Sequence, residues 1–238
     1  MLEQGFFLLA SYLAAVAATI AGFGSSALLI PVAFIFMDIK TAVFIVATFH
    51  LFNNLFKVRL FWKQINFQVF LLFGIPSILL AFTGAFLISI SPVDIISRVL
   101  AAFLIIYAIY SFLKPKFSLK KSKITAVIGG SLSGLLAGLI GLGGAVRGAF
   151  LVAFNLAKET YVGTSAMIGT VIDLTRIPTY IVTKLAQDTS FYILIPFLIV
   201  SAYFGVRTGK LLLTRIDQDT FRKIVAAALL LVGIKILI

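Results

Sequence analysis

The stretch from Ala18 to Lys57 recurs at a constant offset as Ala137 to Arg176. Gly22-Phe23-Gly24-Ser25-Ser26 falls on Gly141-Leu142-Gly143-Gly144-Ala145. With no gap, Thr41 then falls on Thr160, Ala47 on Ala166, Asn54 on Asp173 and Lys57 on Arg176. An apolar chain built twice, with a glycine break in each copy, has the sequence pattern of a secondary transporter and points to where a site would form.

The surroundings of these breaks set the fold class. The chain is 61% hydrophobic and 12% charged, with a mean hydropathy of +1.15, far more apolar than a water-soluble domain. Apolar runs long enough to cross a bilayer recur along its length, from Phe6–Ala21 onward. The expectation is an all-α, polytopic integral membrane protein. Its opening lacks the basic stretch and small-residue cleavage pattern of a removable signal peptide. With no cysteine, disulfides and thiolate chemistry are excluded, and no cofactor is expected.

A net charge of +12 raises the question of nucleic acid, but the placement of that charge answers it. The basic residues gather in short connectors: Lys57, Arg59 and Lys63, then Lys114 to Lys123, then Arg207, Lys210 and Arg215. Each cluster lies between apolar segments, as the positive-inside rule expects of cytoplasmic loops; a nucleic-acid binder would gather the charge on one folded face.

Placing those clusters inside makes Thr41–Phe56 run inward and Thr160–Thr183 outward, so the two copies are inverted. Asn66–Ile88 runs outward, Ile95–Leu113 inward, Phe191–Val206 inward and Phe221–Ile238 outward, which leaves both termini outside. Asp94, Arg98, Ala101 and Ala102 match Asp219, Lys223, Ala226 and Ala227 at a slightly different offset. The expected organisation is one transmembrane domain over 1–238. The first repeat covers about 1–116 and the second about 122–238, joined by a basic cytoplasmic linker at 114–123.

The segments after the glycine breaks, Ser25–Met37 and Ala145–Ala157, have about 13 residues each, or about 20 Å of helix against a hydrocarbon core of roughly 30 Å. They are expected as half-helices, one beside four full spans in each half. Glycine opens the helix cheaply, and freed backbone groups at membrane depth are tolerated only inside protein or around a wet cavity. Two half-helix amino ends, each with unpaired N–H groups and the positive end of a dipole, would clasp one small anion. Gly22, Gly24, Ser25, Ser26, Gly141, Gly143 and Gly144 are the candidates, with Ser25 and Ser26 also placed to cap the first half-helix. Simple close helix packing through small residues is the competing explanation of the glycines.

Charged and polar residues add a second constellation. Arg147, three residues after Gly144, offers a planar two-point donor to an oxyanion; pairing with Asp173 or capping carbonyls is its bland alternative. His50, Asn54 and Lys57 share one helix face, with Asn53 beside them. Their counterparts Gly169, Asp173 and Arg176 repeat that face, and Thr170 adjoins them. Ionisable residues at such depth mark a pathway or pair structurally. Asp173 and Arg176 are placed for either role, and Asp173 makes protons the candidate coupling ion. Lys57 is expected at the cytoplasmic rim, its ammonium reaching water along its stem.

With Pro31 after the first glycine break, Gly138-Leu139-Ile140-Gly141-Leu142-Gly143-Gly144 in the second half and Gly163-Thr164-Ser165-Ala166 beyond it, the chain resembles the sulfite exporter TauE/SafE family, also called the 4-toluene sulfonate uptake permease family. The resemblance spans nearly the whole chain, although Phe150 stands where Pro31 would be matched. It implies an inner-membrane permease moving sulfite, sulfoacetate or another organosulfur anion without ATP, and it adds Thr164 and Ser165 to the candidate binding residues. Two other readings stay open. Gly24-Ser25-Ser26 with His50 could form the serine–histidine pair of an intramembrane hydrolase, although Gly144 and Ala145 replace the serines in the second copy. The chain could also be a membrane sensor or a subunit of a larger complex.

Overall fold

The structure is a computed structural model and describes residues 2–22, 24–113, 120–186 and 188–213. Phe23, the last expected span Phe221–Ile238 with Asp219 and Arg215, and Lys114 and Lys116 of the linker lie outside the described residues. The described residues form helices and connecting turns, with no strand among them. In chain order these are α1 (Leu2–Ala21), α2 (Ser26–Ala33), α3 (Ile39–Phe61), α4 (Phe67–Ile90), α5 (Val93–Leu113), α6 (Lys123–Ile140), α7 (Gly143–Leu151), α8 (Lys158–Val182) and α9 (Ile195–Leu212).

Local chemistry fixes three of the starts. The Asp38 carboxylate accepts from the backbone N–H groups of Lys40 and Thr41 at 3.0 and 3.1 Å and opens α3. Asn66 caps α4 through Val69 N–H and Ser122 caps α6 through Thr125 N–H, each at 3.0 Å. The two breaks share a backbone form. Gly22 (φ 72°) and Gly141 (φ 73°) are both left-handed, and each N–H closes the preceding helix on Ala18 O or Ala137 O, at 2.9 and 3.0 Å. At Gly141 that bond is the single bond of an αL cap, and Leu142 N–H also reaches Leu136 O at 3.2 Å.

Both short helices are briefer than the sequence suggests. α2 carries Pro31 and ends at Ala33, giving way to three-residue turns that reach Met37. α7 passes into a 3-10 turn, Val152–Phe154, that stops at left-handed Asn155. Eight or nine residues make about 12–14 Å of helix, too little to cross a bilayer.

α4 lies against α6, and α1 against α9. The first contact brings backbones together: a side chain on Gly130, Gly134 or Gly138 would run into the carbonyls of Phe73, Ser77 or Ala81. Gly205 and Gly209 do the same for α9 against Tyr12 and Val16 of α1, where Ser11 and Ser201 hydroxyls meet at 2.6 Å. α3 and α8 pack together at the centre, with α4 beside α8 and α9 beside α3. Exchanging α1, α2, α3 and α4 for α6, α7, α8 and α9 carries each of these contacts onto another of the set, with α3–α8 and α2–α7 mapping onto themselves.

The outer surface is apolar. Leu71, Ile75, Leu79, Phe82 and Ile90 of α4 and Phe197, Val200, Phe204 and Leu211 of α9 are exposed, which suits lipid and not water. Among the described residues, five helices are long and apolar enough to cross a membrane: Glu3–Ala21, Ile39–Gln64, Phe67–Ile90, Lys123–Ile140 and Ser190–Leu212. The protein is a multi-pass helical membrane protein.

α3 departs from expectation at its far end. It runs on through Phe61, past the expected stop at Phe56, and continues as a 3-10 turn over Trp62–Gln64. Lys57 therefore sits within a span and is 3% exposed, not at the rim with its ammonium in water.

Candidate functional site

The amino ends of α2 and α7 meet where the helices are broken. A Cβ built on Gly24 would lie 3.2 Å from Gly144 Cα, 3.3 Å from His50 Nε2 and 3.6 Å from Arg147 Nη2. Gly24 has φ 98°, so both its backbone and its crowded surroundings demand glycine. Ser25 and Ser26 follow, fully buried, and neither Oγ has a hydrogen-bond partner. The expected capping role fails because Ser25 already has helical angles (φ −78°, ψ −22°), which turn its hydroxyl away from the N–H groups it would cap. Two buried hydroxyls are thus left unpaired at a helix amino end, at about 1–3 kcal/mol each.

Arg147 enters from the first turns of α7 and is 1% exposed. Its Nε–H donates to Ser165 Oγ at 3.0 Å, and Ser165 in turn donates to Gly22 O at 2.9 Å. This relay ties α7 to α8 and to the first break, and it holds the guanidinium with Nη2 toward Gly24 and Gly169. Arg147 neither forms an ion pair with Asp173 nor caps a helix carbonyl. Gly22, Gly24, Asn54, Lys57, Arg147 and Ser165 line one collapsed cavity that admits no water-sized sphere.

Asp173 lies at the centre of a separate, saturated network. His50 Nδ1 meets its Oδ2 at 2.7 Å, and Asn54 Nδ2 donates to the same oxygen at 3.2 Å. Arg176 binds Oδ1 through Nε at 2.9 Å and Nη2 at 2.8 Å, while its Nη1 donates to Ala137 O at 2.6 Å. One turn on, Tyr180 O–H donates to Gly138 O. Arg176 and Tyr180 thus stitch α8 to the last turn of α6. The sequence offered no reason to single out Tyr180 beyond its position four residues after Arg176. Asp173 and Arg176 form an ion pair, a contact that both of their expected roles allow.

The remaining candidates scatter. Thr164 Oγ1 accepts Asn66 N–H at the start of α4. Gly143 is where α7 passes Ser133, whose hydroxyl donates to Gly143 O at 2.9 Å. Gly141 sits against Ile30 and the Arg176 guanidinium. Asn53 is fully buried on α3, with neither amide atom bonded. Asp173–His50 has the form of a hydrolase acid–base pair, yet neither Ser25 nor Ser26 hydroxyl reaches His50. Among the described residues, no three His, Asp or Glu side chains gather as metal ligands.

The charge count of this interior is unusual for a membrane. Lys57, Arg147 and Arg176 are buried basic side chains, and Asp173 is the one buried carboxylate among the described residues. Buried cations in a bilayer need counter-charge or an aqueous cavity.

No curated protein matches the chain. The family model described as Sulfite exporter TauE/SafE matches residues 7–236. With a glycine-broken helical body and that match over almost the whole length, the chain belongs to the sulfite exporter TauE/SafE family.

Proposed function

We propose that the protein is a secondary permease for a small anion, namely sulfite, sulfoacetate or another organosulfur anion, in a cell's inner membrane. Arg147 carries this reading: a buried guanidinium held through Nε by Ser165, with Nη2 beside Gly24 where two short helices begin. The unbonded hydroxyls of Ser25 and Ser26 supply further donors nearby. Arginine suits a sulfonate or sulfite because its fork matches two oxygens of one group.

The collapsed cavity fits a protein whose walls must part to admit substrate, as alternating access requires. In that scheme the two inverted halves rock about the paired half-helices, both termini lie outside, and no ATP is consumed. The exchangeable packing of α1–α4 and α6–α9 supports the inverted repeat. The family is named for sulfite export, which supports the substrate class.

Purified protein in proteoliposomes should move sulfite or an organosulfonate. Flux should fall below detection in Arg147→Ala and drop several-fold in the double variant Ser25→Ala/Ser26→Ala. Wild-type flux in both would remove these residues from the site, and no flux of any anion by the wild-type protein would reject the permease.

A further inference from the structure

We propose that Lys57 is a second anion-binding residue and that, together with Arg147, it makes the site selective for dianions over monoanions. This rests on the permease reading and extends it to the charge of the substrate.

The two repeats differ at one decisive pair. Arg176 in the second copy has its carboxylate, Asp173, three residues earlier, and caps Ala137 O. The counterpart of Arg176 is Lys57, that of Asp173 is Asn54, and that of Ala137 is Ala18. Lys57 lines the cavity alongside Ala18, so it occupies the same place relative to its own helix break. Asn54 brings no charge, and its amide is turned to Asp173 on the opposite helix. Lys57 has no hydrogen bond or ion pair among the described residues, although it is 3% exposed.

Among the described residues the neighbouring elements supply no free anion either. From α7 the facing charged group is Arg147, of like sign, on the same cavity wall. From α8, Asp173 is already shared by His50, Asn54 and Arg176, and Tyr161 directs its hydroxyl to Gly148 O. From α9, Lys210 lies over the Phe61 ring and Arg207 donates to the Tyr203 hydroxyl. α1 contributes Tyr12, bonded to Thr208. Two cationic side chains therefore share one cavity with no counter-ion among the described residues. An anion with two charges neutralises both; one with a single charge leaves the second buried and unpaired.

The test measures binding to detergent-purified protein at low ionic strength, with inorganic sulfate as the dianion and methanesulfonate as the monoanion, by calorimetry and thermal shift. Wild type should bind sulfate more tightly than methanesulfonate. Lys57→Met should weaken sulfate by about tenfold or more and methanesulfonate by no more than about threefold, as loss of one charge-assisted contact implies. Its unliganded melting temperature should equal or exceed the wild-type value, because a buried unpaired charge has been removed; a lysine with a merely structural role would lower it. Lys57→Arg, which keeps the charge, should retain sulfate binding.

Wild-type sulfate affinity in Lys57→Met, or equal losses for both anions, would overturn the proposal. If Arg147→Gln abolishes binding while Lys57→Met does not, only this inference fails. If the wild-type protein binds no anion, the permease reading fails with it.

Discussion

Asn54 Nδ2 donates to Asp173 Oδ2 at 3.2 Å, so two residues at equivalent places in the repeated sequence touch each other across the α3–α8 contact. In the inverted repeat proposed above, such a contact falls near the axis that would exchange the halves, at the centre of the α3–α8 packing. One member is an amide and the other a carboxylate, so the centre is asymmetric in charge, with its anion committed to the second half's arginine.

Asp173→Asn should be severely destabilising. It leaves Arg176 buried beside an uncharged amide and removes the acceptor of His50, and breaking a buried pair from one side costs about 3–5 kcal/mol. Thermal unfolding in detergent should show a drop of many degrees or loss of monodisperse protein. A melting temperature within a degree of wild type would show that this network holds nothing together.

Gly24→Ala should impair flux more than folding. A left-handed φ of 98° disfavours alanine by roughly 1–3 kcal/mol. The added methyl would also stand between Gly144 and the Arg147 and His50 side chains. Size-exclusion behaviour should be retained while proteoliposome transport falls at least about tenfold, as expected where donors are displaced from an anion. Normal transport would separate this contact from the pathway.

Gly134→Val should prevent α4 and α6 from docking, because the side chain would be driven into the Ser77 backbone. Gly5 offers the control: nothing lies within 4 Å of a Cβ placed there. Gly5→Ala should express and melt as wild type, whereas Gly134→Val should aggregate or accumulate poorly. Comparable yields of both would mean that the α4–α6 contact is not the close one described.

Inversion of the halves is open to direct labelling, helped by the absence of native cysteine. Asp38→Cys and Lys158→Cys, one place apart in the repeat register and both exposed, should react with impermeant maleimide from opposite faces. Asp38 should label from outside and Lys158 from inside. Labelling from the same face would end the inverted arrangement.

Much of the fold was legible in the chain. Asp38, Asn66 and Ser122 announce helix starts through short polar side chains ahead of apolar runs, and Gly22 and Gly141 announce breaks. These signals are local, acting within a few residues of backbone. α8, Lys158–Val182, follows the expected span Thr160–Thr183 closely, although Asp173 and Arg176 place charge in its interior and it falls outside the five apolar helices. Its interior charges are sheltered by α3 and α6, which hydropathy along a single segment does not register.

The site divides in the same way. The order of residues alone picked out the glycine breaks, the Asn54/Asp173 and Lys57/Arg176 correspondences, and Arg147 near a helix start, because repetition and helical spacing are properties of sequence. Tertiary structure alone decided that Ser165 holds Arg147, that Ser25 and Ser26 remain unbonded, and that Lys57 is buried within α3. Each depends on which carbonyl, carboxylate or hydroxyl arrives from a helix far away in the chain. Hydrogen bonds and ion pairs act over about 3 Å, so the state of a polar side chain is set by that arrival and not by its neighbours in sequence.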